Sequence, residues 1–349
     1  MDLSNFDPNA PACVMNNIFG LPTSEENARV VLLPVPWEVT VSYHTGTARA
    51  PEYIFSASQQ IDLYDADVPE GWKSGFYMPE IDKDLLLRSD YLRKEAALYI
   101  NFQAEGGKLE ENDFMQNSLH EVNKGCEELN QWVYQRTKAL LDQEKFVGLI
   151  GGDHSTPLGY YKALSEKYPS FGLLHIDAHM DLRKSFDDFT YSHASIMYNA
   201  LEQVPAISHL VSVGVRDYCP LELKMAEEQS DRICIFFDRD MKRQLCEGTP
   251  WQAICDQIVD RLPAMVYLSF DVDGLDPKLC PHTGTPVPGG LELWQVDYLL
   301  CKILESGRQL IGFDLVEVGF QHSDWDSNVG ARILFRLCNL AVKEPVKVY

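Results

Sequence analysis

No stretch of this chain is apolar for long enough to span a membrane. The longest apolar runs, such as Val30–Pro34 and Met265–Phe270, fall far short of the ~18–20 residues a span needs. Positive charge is also scarce. Thirty Lys+Arg stand against 52 Asp+Glu, a formal net charge of −22. No Lys/Arg cluster relieves this imbalance, so phosphate would be repelled and nucleic-acid binding is disfavoured. The nine cysteines are scattered from Cys13 to Cys338 without a CxxC pair. An odd, dispersed set reads as reduced thiols in an intracellular protein rather than a disulfide framework. The first residues, Met-Asp-Leu-Ser-Asn-Phe-Asp, lack the basic and apolar regions of a secretory signal, so the expected location is cytoplasmic. Disorder is disfavoured too, because 16 Phe, 16 Tyr and 6 Trp accompany the charge imbalance.

What is present suits one large α/β unit. The chain has 349 residues, 45% of them apolar. Residues 1–28 are polar and rich in Pro and Asn, and read as an arm draped over the body. It is a candidate for contact with a neighbour or for partly covering a site mouth. Residues 29–349 show no repeat, linker or composition shift and read as a single domain. From Arg29 a β-branched and Leu run suggests a buried strand, followed by a loop-rich stretch through Tyr53. The acidic segment Glu105–Asp113 reads as solvated surface leading into a helix. Leu119, Val122, Cys126, Leu129 and Val133 recur at helical spacing between Phe114 and Gln143. Short apolar runs follow at Phe146–Ile150, Gly172–Ile176, Leu210–Val215, Ile233–Phe237, Met265–Phe270 and Leu310–Val318, most of them separated by stretches of helical length. This alternation predicts a mainly parallel sheet with helices on both faces.

Ligands of such sheets bind beyond the carboxyl ends of the strands. Here those ends carry Gly151-Gly152-Asp153-His154, Asp177-Ala178-His179-Met180-Asp181, Asp271-Val272-Asp273 and Glu317. In an extended segment residues i and i+2 point the same way, so Asp177, His179 and Asp181 can converge, as can Asp271 and Asp273. With His154 the set is four carboxylates and two imidazoles. Carboxylates this close need a compensating cation, and two divalent ions would balance four of them. The oxygen-rich set suits Mn²⁺ better than structural Zn²⁺. Two metals ~3.5–4 Å apart could bridge a water, lower its pKa and aim hydroxide at an electrophilic carbon. A lone Asp-x-Asp after a strand is usually a turn or a helix cap. Three such strings at three strand ends are a site.

These strings resemble the signatures of the ureohydrolases: the arginases, agmatinases, guanidino-acid hydrolases and formimidoylglutamases. The matching segments are 151–154, 177–181 and Ser269-Phe-Asp-Val-Asp-Gly-Leu-Asp-Pro277, with the loop Gly284-Thr-Pro-Val-Pro-Gly-Gly290 beyond them. The resemblance runs from Arg29 to the C-terminus. It implies a three-layer α/β/α fold, a binuclear manganese centre and hydrolysis of a guanidino or amidino C–N bond, releasing urea and an amine. It further implies that His154, Asp177, Asp181 and Asp273 hold one ion or bridge both, with His179 and Asp271 completing the set and the partition open. His193 matches the family's proton-shuttling histidine and Glu317 the glutamate that pairs with the guanidinium; Asp181 joins them as a catalytic residue. A homo-oligomer is expected by family analogy.

The substrate's distal end is less defined. Cys219 stands where arginase has an aspartate for the α-amino group, so arginine is expected to be a poor substrate. Arg183, in an Asp-Leu-Arg string similar to that of formimidoylglutamases, could receive a substrate carboxylate or form a structural salt bridge. The acidity of the chain favours cationic agmatine. Agmatine and ω-guanidino acids therefore stay open, with formimidoylglutamate, which would release formamide, as a third choice. A non-catalytic metal-binding relative is the reading from another class. A deacetylase-type zinc enzyme, with its smaller ligand set, ranks below it.

Overall fold

The computed structural model describes residues 6–13, 16–321 and 323–343. After the arm comes β1 (Val30–Val35), then α1 (Ala50–Ser58), the short edge strand β2 (Phe76–Tyr77), and the long helices α2 (Lys83–Ala104) and α3 (Asp113–Leu141). A regular alternation follows: β3 (Phe146–Gly151), α4 (Leu158–Lys167), β4 (Phe171–Ile176), α5 (Ile196–Gln203), β5 (Ile207–Val215), α6 (Pro220–Glu228) and β6 (Ile233–Phe237). The chain closes with α7 (Asp238–Cys246), α8 (Trp251–Val259), β7 (Met265–Asp271), α9 (Leu293–Glu305), β8 (Gln309–Val316) and α10 (Trp325–Val342). Each apolar run named above falls within or largely on one of these strands.

All eight strands pair in parallel, in the order β2-β1-β3-β8-β7-β4-β5-β6. Side chains alternate between two apolar layers, as the strand period of two requires. Val30, Leu32, Val266, Leu268 and Phe270 pack toward α1 and α7–α10. Val31, Leu33, Val35 and Tyr267 pack toward α2–α6. This is the three-layer α/β/α arrangement, and each fully buried Leu, Ile, Val or Phe stabilises it by roughly 1.5–3 kcal/mol.

The sequence reading missed α2. Its buried positions are Ser89, Leu92, Ala96 and Tyr99, a face with one strong aliphatic residue, so the apolar periodicity is faint. Asp82 caps it by accepting the backbone N–H groups of Asp84 and Leu85. The described part of the arm packs on the β2 edge. Asn17 accepts from the Met78 N–H and donates to its carbonyl, while Phe19 sits against Phe76 and Phe335. No described arm residue lines the cavity discussed below. Among the described residues no helix is long and apolar enough to cross a membrane.

Candidate active site

The strand order brings four exits together. β7 and β8 return late in the chain to fill the centre between β3 and β4, so β3, β8, β7 and β4 are neighbours. Their carboxyl ends deliver His154, Glu317, the Asp271/Asp273 pair, and the Asp177/His179/Asp181 trio to one crevice. Three of the exits turn in the same way. Asp153, Asp177 and Asp271 each accept, through Oδ1, the backbone N–H two residues on, at 2.9, 2.6 and 2.8 Å. Asp181 and Glu317 hold left-handed backbone at φ 54° and 61°, uncommon for residues other than glycine. The Asp181 carbonyl is fixed by the N–H groups of Met197 and Tyr198, and the Glu317 N–H donates to the Gly152 carbonyl.

Two donor groups meet at Asp177. His154 Nδ1 lies 2.9 Å from Asp177 Oδ2, 3.1 Å from Asp181 Oδ2 and 3.2 Å from Asp271 Oδ2. His179 Nδ1 lies 3.3 Å from Asp177 Oδ1 and 3.1 Å from Asp273 Oδ2. All six sequence-predicted ligands are therefore in one cluster. His154 Nδ1 is buried among three carboxylate oxygens yet makes no hydrogen bond to any of them. Lone pairs facing one another in a buried site are the arrangement a cation stabilises, so the residues fit a metal centre. The electrostatics agree. Burial, then Asp273 and Asp177, push the Asp271 carboxyl well up. Burial and Asp177 lift Asp181 to about 6. Burial would raise Asp177 as well, but His175, with His154 and His179, holds it well below the carboxylate range.

His175 escaped the sequence reading, although it sits two residues before Asp177 on the same face of β4. Its Nε2 is 2.8 Å from Asp177 Oδ2 and its Nδ1 3.0 Å from Ser212 Oγ. Behind His154 a second buried chain runs through Ser269. His154 Nε2 is 2.9 Å from Ser269 Oγ, which donates to Asp314 Oδ1 at 3.1 Å, and Tyr161 Oη points its proton between Ser269 Oγ and Asp314 Oδ2, at 3.1 and 3.3 Å. Such partners orient a ligating imidazole and set its tautomer.

Above the cluster lies a cavity of about 170 Å³. His154, His179, Asp181, Asp271 and Asp273 line it, with Glu317, His193, Arg183, Asp217, Tyr218, Glu222 and Phe186 among its other walls. Glu317 Oε1 accepts the His154 backbone N–H at 2.9 Å, while Oε2 is buried without a partner. A Cβ at Gly284 would stand 2.8 Å from that oxygen, so glycine keeps the approach open. The His193 backbone N–H donates to Thr40 Oγ1 at 3.1 Å. Burial first, then neighbouring positive charge that includes Arg93, pushes the His193 imidazole down to about 3.

Arg183 does line the cavity, but it faces Glu222, Nε to Oε2 at 3.7 Å, and its guanidinium lies 5.0 Å from the Phe186 ring centre. Cys219 caps the start of α6 and is not among the lining residues; Asp217, two positions earlier, is. Asp217, Glu222 and Phe186 were not singled out from the sequence, because only the folded loops bring them to the cavity.

Comparison with known proteins agrees with this architecture. The sequence model of the family described as "Arginase family" matches residues 28–338. An N(1)-aminopropylagmatine ureohydrolase of Thermus thermophilus is 32% identical over 306 residues, 87% of each chain. An agmatinase of Bacillus cereus is 27% identical over 303 residues, covering 86% of this chain and 88% of its own. The structure of the agmatine ureohydrolase of Thermoplasma volcanium superposes with a TM-score of 0.68 at 23% identity, covering 91% of both chains. That of the proclavaminate amidino hydrolase from Streptomyces clavuligerus does so at 0.70 and 20% identity, covering 95% of this chain and 99% of its own. With the family's sequence model spanning nearly the whole catalytic body, and the fold and the carboxylate–histidine cluster in place, the chain belongs to the arginase family.

Proposed function

We propose that this chain hydrolyses the guanidino C–N bond of a small linear guanidine with a cationic tail, agmatine or an N-alkylated agmatine, releasing urea and an amine. The observation that carries the reading is the unpartnered, buried Glu317 Oε2 facing the cavity above the carboxylate–histidine cluster. A carboxylate in that position accepts hydrogen bonds from a planar guanidinium and offsets its charge. The names of the Thermus and Bacillus relatives support the same substrate class.

We assign two manganese ions to the cluster, because Asp177 belongs to both donor groups and the set is rich in oxygen. His154, Asp181 and Asp271 would hold one ion, His179 and Asp273 the other, and Asp177 both. When bound, such ions polarise the substrate and lower the pKa of water at the reacting carbon. Glu317 orients the guanidinium. His193, neutral at rest, would take up the proton that the attacking water gives up and hand it to the departing amine, ending neutral again. Among the described residues that line the cavity beyond the cluster, Asp217 and Glu222 stand against Arg183, and this net negative wall suits a protonated amine. Residues 29–349 act as one catalytic domain in this reading. The chain works in the cytoplasm as a homo-oligomer, and the exposed Trp294 and Trp325 on α9 and α10 are consistent with a covered face.

The test is urea release by the manganese-loaded protein from agmatine, N1-aminopropylagmatine, arginine and 4-guanidinobutyrate. Agmatine or its aminopropyl derivative should be the best substrate, and Glu317→Gln should lower its kcat/KM by at least about 100-fold. If the loaded protein hydrolyses nothing in that panel, the non-catalytic alternative stands instead. Sedimentation showing only a 39.7 kDa species would remove the oligomer.

A further inference from the structure

The cavity wall between Arg183 and His193 is a tight turn with an unusual composition. The Phe189 N–H donates to the Phe186 carbonyl at 2.9 Å, and Phe186 and Phe189 pair as an antiparallel bridge. The two central residues, Asp187 and Asp188, both have positive φ, 50° and 59°. This is the mirror-image turn whose usual central pair is Asn-Gly. Here two aspartates occupy it, and their own conformational preference does not secure the geometry.

The turn's two ends face opposite ways. Phe186 lines the cavity, carries the Arg183 guanidinium over its ring, and stands edge-on to His193 with ring centres 6.2 Å apart. Phe189 is buried against Tyr99, with ring centres 5.7 Å apart. The tip is tied to α2. Asp188 Oδ2 accepts from Tyr99 Oη and from Gln103 Nε2, each at 2.6 Å. Asn123 on α3 clasps the far side, donating to the Asp188 carbonyl at 3.3 Å and accepting the Thr190 N–H at 2.8 Å. The neighbours of Phe186 have separate supports: the Arg183 N–H donates to the Ala194 carbonyl, and the His193 N–H to Thr40. Among the described residues, Phe186 has no hydrogen-bonded support except through this turn.

We propose that Tyr99 and Asp188 form a latch that positions Phe186, and so sets the width of the distal, tail-binding half of the cavity from a helix that never touches substrate. The phenol of Tyr99 is suited to donate, because burial and Asp188 raise its pKa and keep the proton on it. Loss of the latch releases the Phe186 wall while leaving His193 and the metal-ligating cluster on their own supports. The defect should therefore appear in substrate binding and not in turnover.

The kinetic arm rests on the function proposed above; the structural arm does not. In the manganese-loaded protein, Tyr99→Phe and Asp188→Ala should each raise the KM for agmatine about five- to tenfold, with kcat within about twofold of wild type. Asp188→Asn keeps an acceptor and suits left-handed backbone, so it should restore a near wild-type KM. Hydrogen exchange without substrate should show the amides of residues 186–190 exchanging at least about tenfold faster in Tyr99→Phe. If the wild type proves inactive on every guanidine, the exchange arm still decides the latch. Unchanged exchange in Tyr99→Phe, a wild-type KM in both Tyr99→Phe and Asp188→Ala, or equal defects in Asp188→Ala and Asp188→Asn would each overturn it.

Discussion

Arg183 and Glu222 face each other across 3.7 Å on the cavity wall, so the cation that could have received a substrate carboxylate already has a partner. Glu222 is buried, and its two oxygens take the N–H groups of Leu182 and Cys219 at 3.1 and 2.9 Å. It is thus a fixed counter-charge rather than a passing surface contact. Arg183→Ala should change agmatine kcat/KM by less than about threefold and leave 4-guanidinobutyrate a poor substrate. Glu222→Gln, which frees the Arg183 charge, should depress agmatine turnover efficiency about tenfold relative to the acid. A selective loss of guanidinobutyrate hydrolysis by orders of magnitude in Arg183→Ala would make Arg183 the carboxylate anchor after all.

The carboxylate cluster should make the fold itself depend on metal. Asp271 and Asp181 are both pushed up by burial and by neighbouring carboxylates, repulsion that a bound cation removes. Adding Mn²⁺ at ~100 times its dissociation constant should stabilise the chain by about 2.7 kcal/mol for each ion bound, read as a rise in melting temperature. Calorimetric titration should find two equivalents in the wild type. Asp271→Ala should lose most of the metal and the activity together. Wild-type metal content in that variant would place Asp271 outside the centre.

Ser269 touches no substrate, yet it links the His154 ring to Asp314. Ser269→Ala removes the hydroxyl 2.9 Å from His154 Nε2 and leaves Asp314 Oδ1 without that donor. Metal affinity should fall about 10- to 100-fold. Activity at saturating Mn²⁺ should largely recover, which separates this role from that of Asp271. A competition assay with a calibrated chelator reads the difference directly.

The site was more legible in the sequence than its surroundings, for a physical reason. Parallel strands are buried on both faces, so β3, β4, β7 and β8 appear as continuous apolar runs with the ligands at their ends. The i, i+2 rule then selects Asp177 with His179 and Asp271 with Asp273, and applied one step earlier it would also have selected His175. Helix α2 offered no comparable signal, because Ser89 and Ala96 fill half of its buried face. Residues that meet only through loops are harder still. Tyr99 and Asp188 are 89 positions apart, and nothing local in either segment announces the pairing. The meaning of Arg183 likewise depended on Glu222, which the sequence places 39 residues away on another loop–helix junction.

The last prediction concerns the far side of the sheet, where Arg336 on α10 gathers three carboxylates. It donates to both oxygens of the buried Asp65 at 2.7 Å, and also to Asp67 and Asp297. The cluster ties α10 to α9 and to the segment ahead of β2. The Arg336 hydrogen bond holds the Asp67 carboxyl below its ordinary 3.8, partly opposed by burial. A carboxyl depressed in the folded state stabilises that state above its unfolded pKa, and the contribution fades as pH falls through the folded value. The stability gap between wild type and Asp67→Asn should therefore be present at pH 6. Because Asp67 is 45% exposed, it should stay under about 1 kcal/mol. It should shrink once the pH drops below about 4. Comparing the two proteins at each pH cancels the acid loss of metal common to both. Urea denaturation at pH 6, 4 and 3 measures the gap, and one that stays constant across the three would show that the Arg336–Asp67 contact contributes nothing through charge.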